Sequence, residues 1–261
     1  MTFTENLKLQ FTGFTSLMRR HINRLIRLSF LFITGSISNA STFYIFGVVL
    51  NKYLARESVS YASYILPGLL MQCVIAVCLI EGAFSFYLTR NYNELLSILG
   101  SPLSIRTIIL SYLCSGCLRG IVNGGTYLGV MMYFTKALPV YPLSFALLVL
   151  NVMMLFTMWG IKDGIDCTDF SDAGAISSLV FSLASTLSGG LYDVKDVSNM
   201  KIFSTLVRIN PVYHLVKAAR YFYLGIGNPV SLTFNLGFLA INVALFFILC
   251  KYADNHKNIR G

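Results

Sequence analysis

Six apolar runs, each near the length a helix needs to cross a bilayer, fall at residues 28–50, 61–88, 107–134, 143–160, 173–191 and 232–252. A hydrocarbon core about 30 Å thick takes roughly 20 helical residues, since each advances the chain about 1.5 Å. The runs are continuous and do not alternate in segments of about ten, which sets aside a membrane barrel. Only 12% of the 261 residues are charged, about half the share of roughly 25% usual in soluble domains. The expected fold class is therefore an all-α polytopic membrane protein with six transmembrane helices. A single membrane domain should span 1–261, with an amphipathic segment at 1–27, the bundle at 28–252 and a short tail at 253–261.

The net charge is +9, but the basic residues sit beside the spans and form no single soluble patch. Anionic lipid headgroups are the expected partner, and nucleic acid is not. More Lys and Arg fall on the side that holds the two termini, so both termini are expected in the cytoplasm. No cleavable signal peptide is evident ahead of the first run. Five cysteines lie in the runs and Cys167 in a connection, so no external disulfide is expected.

Ahead of the first run, Leu7, Phe11, Phe14, Met18, Ile22 and Leu25 recur at steps of three and four, with Lys8, Arg19, Arg20, Arg24 and Arg27 mostly off that line. The pattern reads as a basic amphipathic surface helix, or as a basic tail that only sets orientation. Small and polar residues dot the first run from Gly35 to Thr42, as on a face that meets another helix or lines a substrate path. In the third run Gly116, Gly120 and Gly124 repeat every four residues and allow close helix packing. Two formal charges lie deep in spans, Glu81 and Arg119. They are readable as a structural ion pair or as groups of a gate or substrate path.

Between the second and third runs, residues 90–104 have a start signal, a leucine face and a stop. Asn91 or Asn93 can cap a helix, Glu94 suits its positive first turn, and Gly100 with Pro102 ends it. A short helix held outside the membrane by a span on each side can receive a push from a soluble partner and pass it to both spans. Asp163, Asp166, Asp169 and Asp172 recur every third residue in the next connection on that side. That spacing misses the calcium-loop pattern, so a solvated acidic loop is expected. Beyond the fifth run, Asn210-Pro211 and Gly225 bound an outer interfacial or re-entrant helix. Its Tyr213, Tyr221 and Tyr223 suit the headgroup layer, and its Lys217 and Arg220 can reach anionic lipid or substrate.

Asn93-Glu94-Leu95-Leu96 followed by Ser101-Pro102-Leu103-Ser104, then Leu118-Arg119-Gly120, then Asn210-Pro211 with Arg220 and Gly225, resemble the permease subunit of type-2 ATP-binding cassette (ABC) exporters. The likeness runs over nearly the whole chain and is greatest to the bacterial branch that includes nodulation-factor and drug-resistance exporters. It implies that residues 91–99 are a coupling helix that docks on a nucleotide-binding ATPase subunit, through Asn93, Glu94, Leu95, Leu96, Leu99, Ser101 and Pro102. It implies that Asn210, Pro211 and Arg220 belong to an outer re-entrant helix, that the 163–172 loop also faces the ATPase, and that a second permease copy completes a twelve-span path in the bacterial inner membrane. Glu81 stands outside the family pattern.

The absent motifs agree with that division of labour. The sequence has no G-x-x-x-x-G-K-[ST] phosphate loop, no H-E-x-x-H and no G-x-S-x-G, and His21, His214 and His256 lie far apart. ATP and Mg are expected on the partner, no cofactor or metal in this chain, and no catalysis by it. An ion-coupled secondary transporter is the alternative, for which only Glu81 and Arg119 qualify as midplane ionisable groups. A polytopic membrane enzyme is a further reading, without a clustered acid, base or metal set. The exported substrate, whether lipid, saccharide, drug or peptide, is not specified.

Overall fold

The computed structural model describes residues 3–27, 61–92, 94–136, 138–167, 175–192, 201–227 and 229–255, with Ser41, Tyr44 and Ile45. Every element among them of six or more residues is a helix: α1 (Phe3–Arg27), α2 (Tyr61–Asn91), α3 (Glu94–Leu99), α4 (Ile105–Thr135), α5 (Pro142–Asp166), α6 (Ala175–Thr186), α7 (Lys201–Ile209), α8 (Pro211–Leu224) and α9 (Leu232–Asn255). Four of these, α2, α4, α5 and α9, are long and apolar enough to cross a membrane. They correspond to the second, third, fourth and sixth runs. Of the first run, 28–50, the described residues include Ser41, Tyr44 and Ile45 alone, so its span and its small and polar face are not described.

In the fifth run the described helix is α6, with 12 residues, and residues 168–174 ahead of it lie outside the described residues. Beyond Thr186 the chain turns. The Ser188 hydroxyl donates to the Ser185 carbonyl at 2.6 Å and accepts from the Gly190 amide at 3.1 Å. Gly189 takes a φ of 65°, which glycine adopts without a Cβ penalty. A continuous apolar composition thus conceals a hydroxyl-built turn.

The bundle is organised on α2, the most deeply buried span. Where α2 crosses α5, glycines replace the side chains that would hold them apart. A Cβ on Gly82 would stand 2.5 Å from the Thr157 carbonyl, and one on Gly164 2.5 Å from the Ala83 carbonyl, while one on Gly160 would strike the Leu79 carbonyl. Without a water-driven force between spans, such backbone proximity is what packs membrane helices. Gly116, Gly120 and Gly124 of α4 do face neighbours, but they meet side chains: Thr157, then Cys78 with Met153, then Val74. The Gly160-x-x-x-Gly164 pair on α5 carries the closer contact.

The last span, α9, is the least buried of the four and is held largely by amides. Buried Asn242 donates to both the Asn151 carbonyl and the Asn151 side-chain oxygen at 3.0 Å. Asn151 donates to the Asn235 carbonyl at 3.2 Å, and Asn235 to the Ser144 carbonyl at 2.9 Å. This ladder fixes α9 on α5 where apolar packing alone would compete with lipid tails. Two apolar clusters divide the bundle along its length. One joins the first half of α2 to α5 and α8; the other joins α1, α3, the start of α4 and the ends of α5 and α9.

Substitution separates the glycines. Gly160→Ala should lower the thermal stability of the detergent-solubilised chain by about 1–3 kcal/mol, the usual cost of overpacking. Gly125→Ala, whose new methyl meets nothing within 4 Å, should leave it unchanged or raise it. Midpoints of thermal unfolding for the two variants decide the point.

Candidate coupling site

The short helix α3 sits at the end of the bundle where α2 stops and α4 begins. Leu95 is 3% exposed and packs with Ile98 among Leu17, Ile108, Ile109 and Leu113. Leu99 is half-buried on the same cluster, whereas Ser97, Gly100 and Pro102 are exposed. Asn93 and the Leu96 side chain lie outside the described residues. The helix is shut off by the Ser101 amide, which donates to the Ile98 carbonyl at 3.2 Å, and by the Ser101 hydroxyl, which donates to the same oxygen. Ser104 then caps α4, its hydroxyl accepting from the Thr107 amide.

Two open readings narrow here. Asn91 does not open α3; it closes α2, because Arg90 reaches across to the Ile165 carbonyl at 2.8 Å and to the Cys167 carbonyl. That bond uses the last carbonyls of α5, where a cation is favoured, and keeps the end of α2 helical. Of the leucines that could dock on a partner or rest against the bundle, Leu95 lies in the protein's own core and Leu99 is half-buried on it. The face left open includes Ser97, Gly100 and Pro102, of which the sequence singled out Pro102 for coupling and Gly100 as part of the helix stop.

Helix α1 brackets this segment at both ends. At its start, Arg20 donates to Glu94 at 2.6 Å and to Thr89 at 3.1 Å, and Arg24 donates to Ser85 at 3.3 Å. At its exit, Gln10 donates to the Pro102 carbonyl at 3.0 Å and accepts from the Ser104 amide at 3.0 Å and the Thr107 hydroxyl at 2.7 Å. Between them Gly13 lies against Leu103 so closely that a Cβ there would overlap the leucine side chain. The half-exposed Arg20–Glu94 pair adds little stability, within about 1 kcal/mol; its value is in orientation.

The edge of α1 that meets the bundle lies to one side of the amphipathic stripe, whose Phe14, Met18 and Leu25 are half-buried. Leu7, Phe11 and Ile22 are exposed, while Gln10, Gly13, Leu17, His21 and Arg24 face inward. The signal available in sequence was Gly13 and His21 on one line. His21 is buried edge-on against Tyr112, with ring centroids 4.8 Å apart, and its Nε2 has no partner among the described residues. Burial, then the Arg20 and Arg24 charges, push its pKa down to about 4, so it is neutral at pH 7.

Deeper in the bundle, Glu81 and Arg119 form an ion pair between α2 and α4, with Glu81 4% exposed. One of the two open readings of these charges, pairing, is thus present in the structure. Asp163 and Asp166 do not stand in a loop; they occupy the last turn of α5, where Asp166 accepts from Lys162 and from the Tyr252 hydroxyl, each at 2.6 Å. Asp169 and Asp172 lie outside the described residues.

At the opposite end, α8 starts and stops where its sequence signals fall. The Asn210 side chain accepts from the Val212 amide at 3.0 Å, Pro211 takes the first turn, and Gly225 ends the helix at φ 71°. Arg220, expected to reach lipid or substrate, is 8% exposed. Its guanidinium donates to the Gly189 and Gly190 carbonyls at 2.6 and 2.9 Å and lies 4.0 Å over the Tyr64 ring. Tyr223 is likewise buried, edge-on to Phe145. Asn210, which donates to the Ala184 carbonyl at 2.5 Å, ties the start of α8 to α6, and Arg220 bolts α8 to the turn after α6. That turn is pressed onto Gly68 of α2, where a Cβ would be 2.6 Å from the Gly190 carbonyl.

A profile of the ABC-2 type transporter family matches residues 12–224, well over half of the chain. The chain is also 23% identical over 246 residues to the inner membrane transport permease YadH of Escherichia coli strain K12, covering 94% of this chain and 95% of that protein. The protein of the same name from Shigella flexneri shows the same identity and coverage.

Two outcomes follow from the geometry. A histidine whose folded-state pKa lies below its unfolded value of about 6.5 supports folding above that value and loses its contribution as pH falls from 6.5 toward 4. Docking of α1 should therefore weaken by about 2 kcal/mol between pH 7 and pH 5, read as faster proteolysis of α1, and His21→Phe should abolish that pH dependence. Separately, Glu81→Arg or Arg119→Glu alone should prevent monodisperse purification, and the double reversal should restore it in part; an unrescued double variant would mean that the pair does not act as a unit.

Proposed function

Because the chain belongs to the ABC-2 type transporter family, we propose that it is the membrane-spanning permease of an ATP-driven exporter in a bacterial inner membrane, worked by a separate ABC ATPase. The observation that carries this reading is the bracketed helix α3. It is too short to stand alone, since isolated helices under about 12 residues are marginal in water. Yet it is tied to α1, to the end of α2 and to the start of α4, with Ser97, Gly100 and Pro102 left facing out. A displacement applied to that face enters three long helices at once.

In this reading the six runs are six spans, α3 and both termini face the cytoplasm, and a second permease copy completes the path. ATP and Mg stay on the ATPase, whose closure shifts the spans between inward- and outward-open populations through its differential contact with α3. The rigid plate of α8 and the turn after α6 stands at the outer end of the same α2 helix, so one rod links the driven end to the outer end. An ion-coupled carrier would favour a midplane carboxylate free to take up a proton or sodium ion; Glu81, paired with Arg119, supports the ATP-driven reading over that one.

The reading predicts that the chain, extracted in mild detergent, brings down an ABC ATPase, and that Ser97→Arg loses it on the order of tenfold while helicity is unchanged. Leu95→Ala should act differently, destabilising the chain itself by about 2–5 kcal/mol. Retrieval of no ATPase, with export that stops when the proton or sodium gradient is collapsed at constant ATP, would overturn the proposal in favour of a carrier.

A further inference from the structure

Between α1 and the end of α2 runs a cavity of about 650 Å³, lined by Arg19, Arg20, Arg24 and Arg27 and by Thr89 and Glu94. Four guanidiniums thus face one carboxylate; Arg20 and Arg24 also bracket α3, but the bracket uses neither Arg19 nor Arg27 and leaves an excess of positive charge. Arg20, Arg24 and Arg27 follow one another at steps of four and three, which sets them on one face of α1. Arg20 is oriented by Thr89 and Glu94 and Arg24 by Ser85, so two of the donors are fixed before any ligand arrives. Arg19 and Arg27 are exposed at the rim. Arginine is the side chain whose planar fork fits a phosphate with two parallel hydrogen bonds.

We propose that this groove is a binding site for the phosphate of an anionic glycerophospholipid, held at the surface of the leaflet in which α1 lies. The phosphate chemistry is common to lipid headgroups and soluble phosphates, and the groove's surroundings decide for lipid. Tyr92, 69% exposed, lines the groove, and Ile22 and Ile26, 40% and 64% exposed, follow Arg19 at steps of three and seven and so border the groove on its Arg19 side. They present an apolar surface to acyl chains just where the headgroup would sit, the arrangement by which amphipathic helices hold anionic membranes. A soluble phosphate has no use for it. The site lies next to the Arg20–Glu94 bond, so its occupant shares Arg20 with the helix that brackets α3. The inference goes beyond the export reading and stands on the arginine groove alone.

Native mass spectrometry of the detergent-solubilised full chain, titrated with phosphatidylglycerol or with phosphatidylcholine, tests it. The wild-type chain should retain one phosphatidylglycerol in preference to phosphatidylcholine. Arg19→Ala with Arg27→Ala, which breaks no bond to the bundle among the described residues, should weaken that retention on the order of tenfold. Lys8→Ala with Arg208→Ala removes equal charge elsewhere and should not weaken it. Arg19→Gln alone, at an exposed position, carries the same test if the double variant fails to fold. Equal retention by the groove variants, no preference for phosphatidylglycerol, or its full displacement by inorganic phosphate would each overturn the proposal, the last by assigning the groove to a soluble anion.

Discussion

The contact on which the rest depends is the crossing of α2 and α5, where Gly82, Gly160 and Gly164 let one backbone lie on the other. In a bilayer no hydrophobic force drives apolar helices together, since lipid tails solvate leucine as well as leucine does. Close backbone approach supplies many weak attractions at once, and no side chain remains in the contact to shift rotamer. The two spans therefore behave as one rod. Arg90 extends the rod at one end by holding the last turn of α2 on the last carbonyls of α5, and Arg220 extends it at the other by fixing α8 and the turn after α6 on the start of α2. What happens at α3 is thereby felt along the full length of α2.

Polar groups at membrane depth follow the same logic. Each one costs several kcal/mol, roughly, if left without a partner in hydrocarbon. Glu81 meets Arg119, Arg220 meets three carbonyls, and Asn151, Asn235 and Asn242 bond along the seam between α5 and α9. These groups tie spans together at places where apolar contact would be interchangeable with lipid. The least buried span, α9, is the one most dependent on such a ladder.

Hydropathy made four spans legible to within a few residues, and local start and stop chemistry did the same for α8, because Asn210, Pro211 and Gly225 act through their own backbone. Residues whose role depends on a distant partner were read less well. Leu95 and Leu99 look like a docking face in isolation, yet they belong to the core that α1 completes. The stripe from Leu7 to Leu25 was correctly amphipathic, but whether an apolar face meets protein or lipid is not a property of period; in a membrane the polar edge can be the one that docks. Gly160 and Gly164 stand four apart like the α4 glycines, and nothing local distinguishes the pair that meets a backbone from the three that meet side chains. The described helix of the 173–191 run ends at Thr186, ahead of the run's last residues, because hydropathy does not register the turn that Ser188 and Gly189 build.

The central claim is that α1, α3 and the start of α4 move as one body when a partner pushes on the open face of α3. Gly13 lies against the Leu103 side chain across α1 and the α3–α4 connection, a close approach that offers a site for an engineered disulfide. Oxidation of a Gly13→Cys, Leu103→Cys chain in sealed vesicles, with the ATPase present, therefore locks the body without altering anything else. The account predicts that ATP-driven export continues at its reduced-state rate; arrest of export on oxidation, reversed by reductant, would show that α1 must release α3 in each cycle and would contradict it.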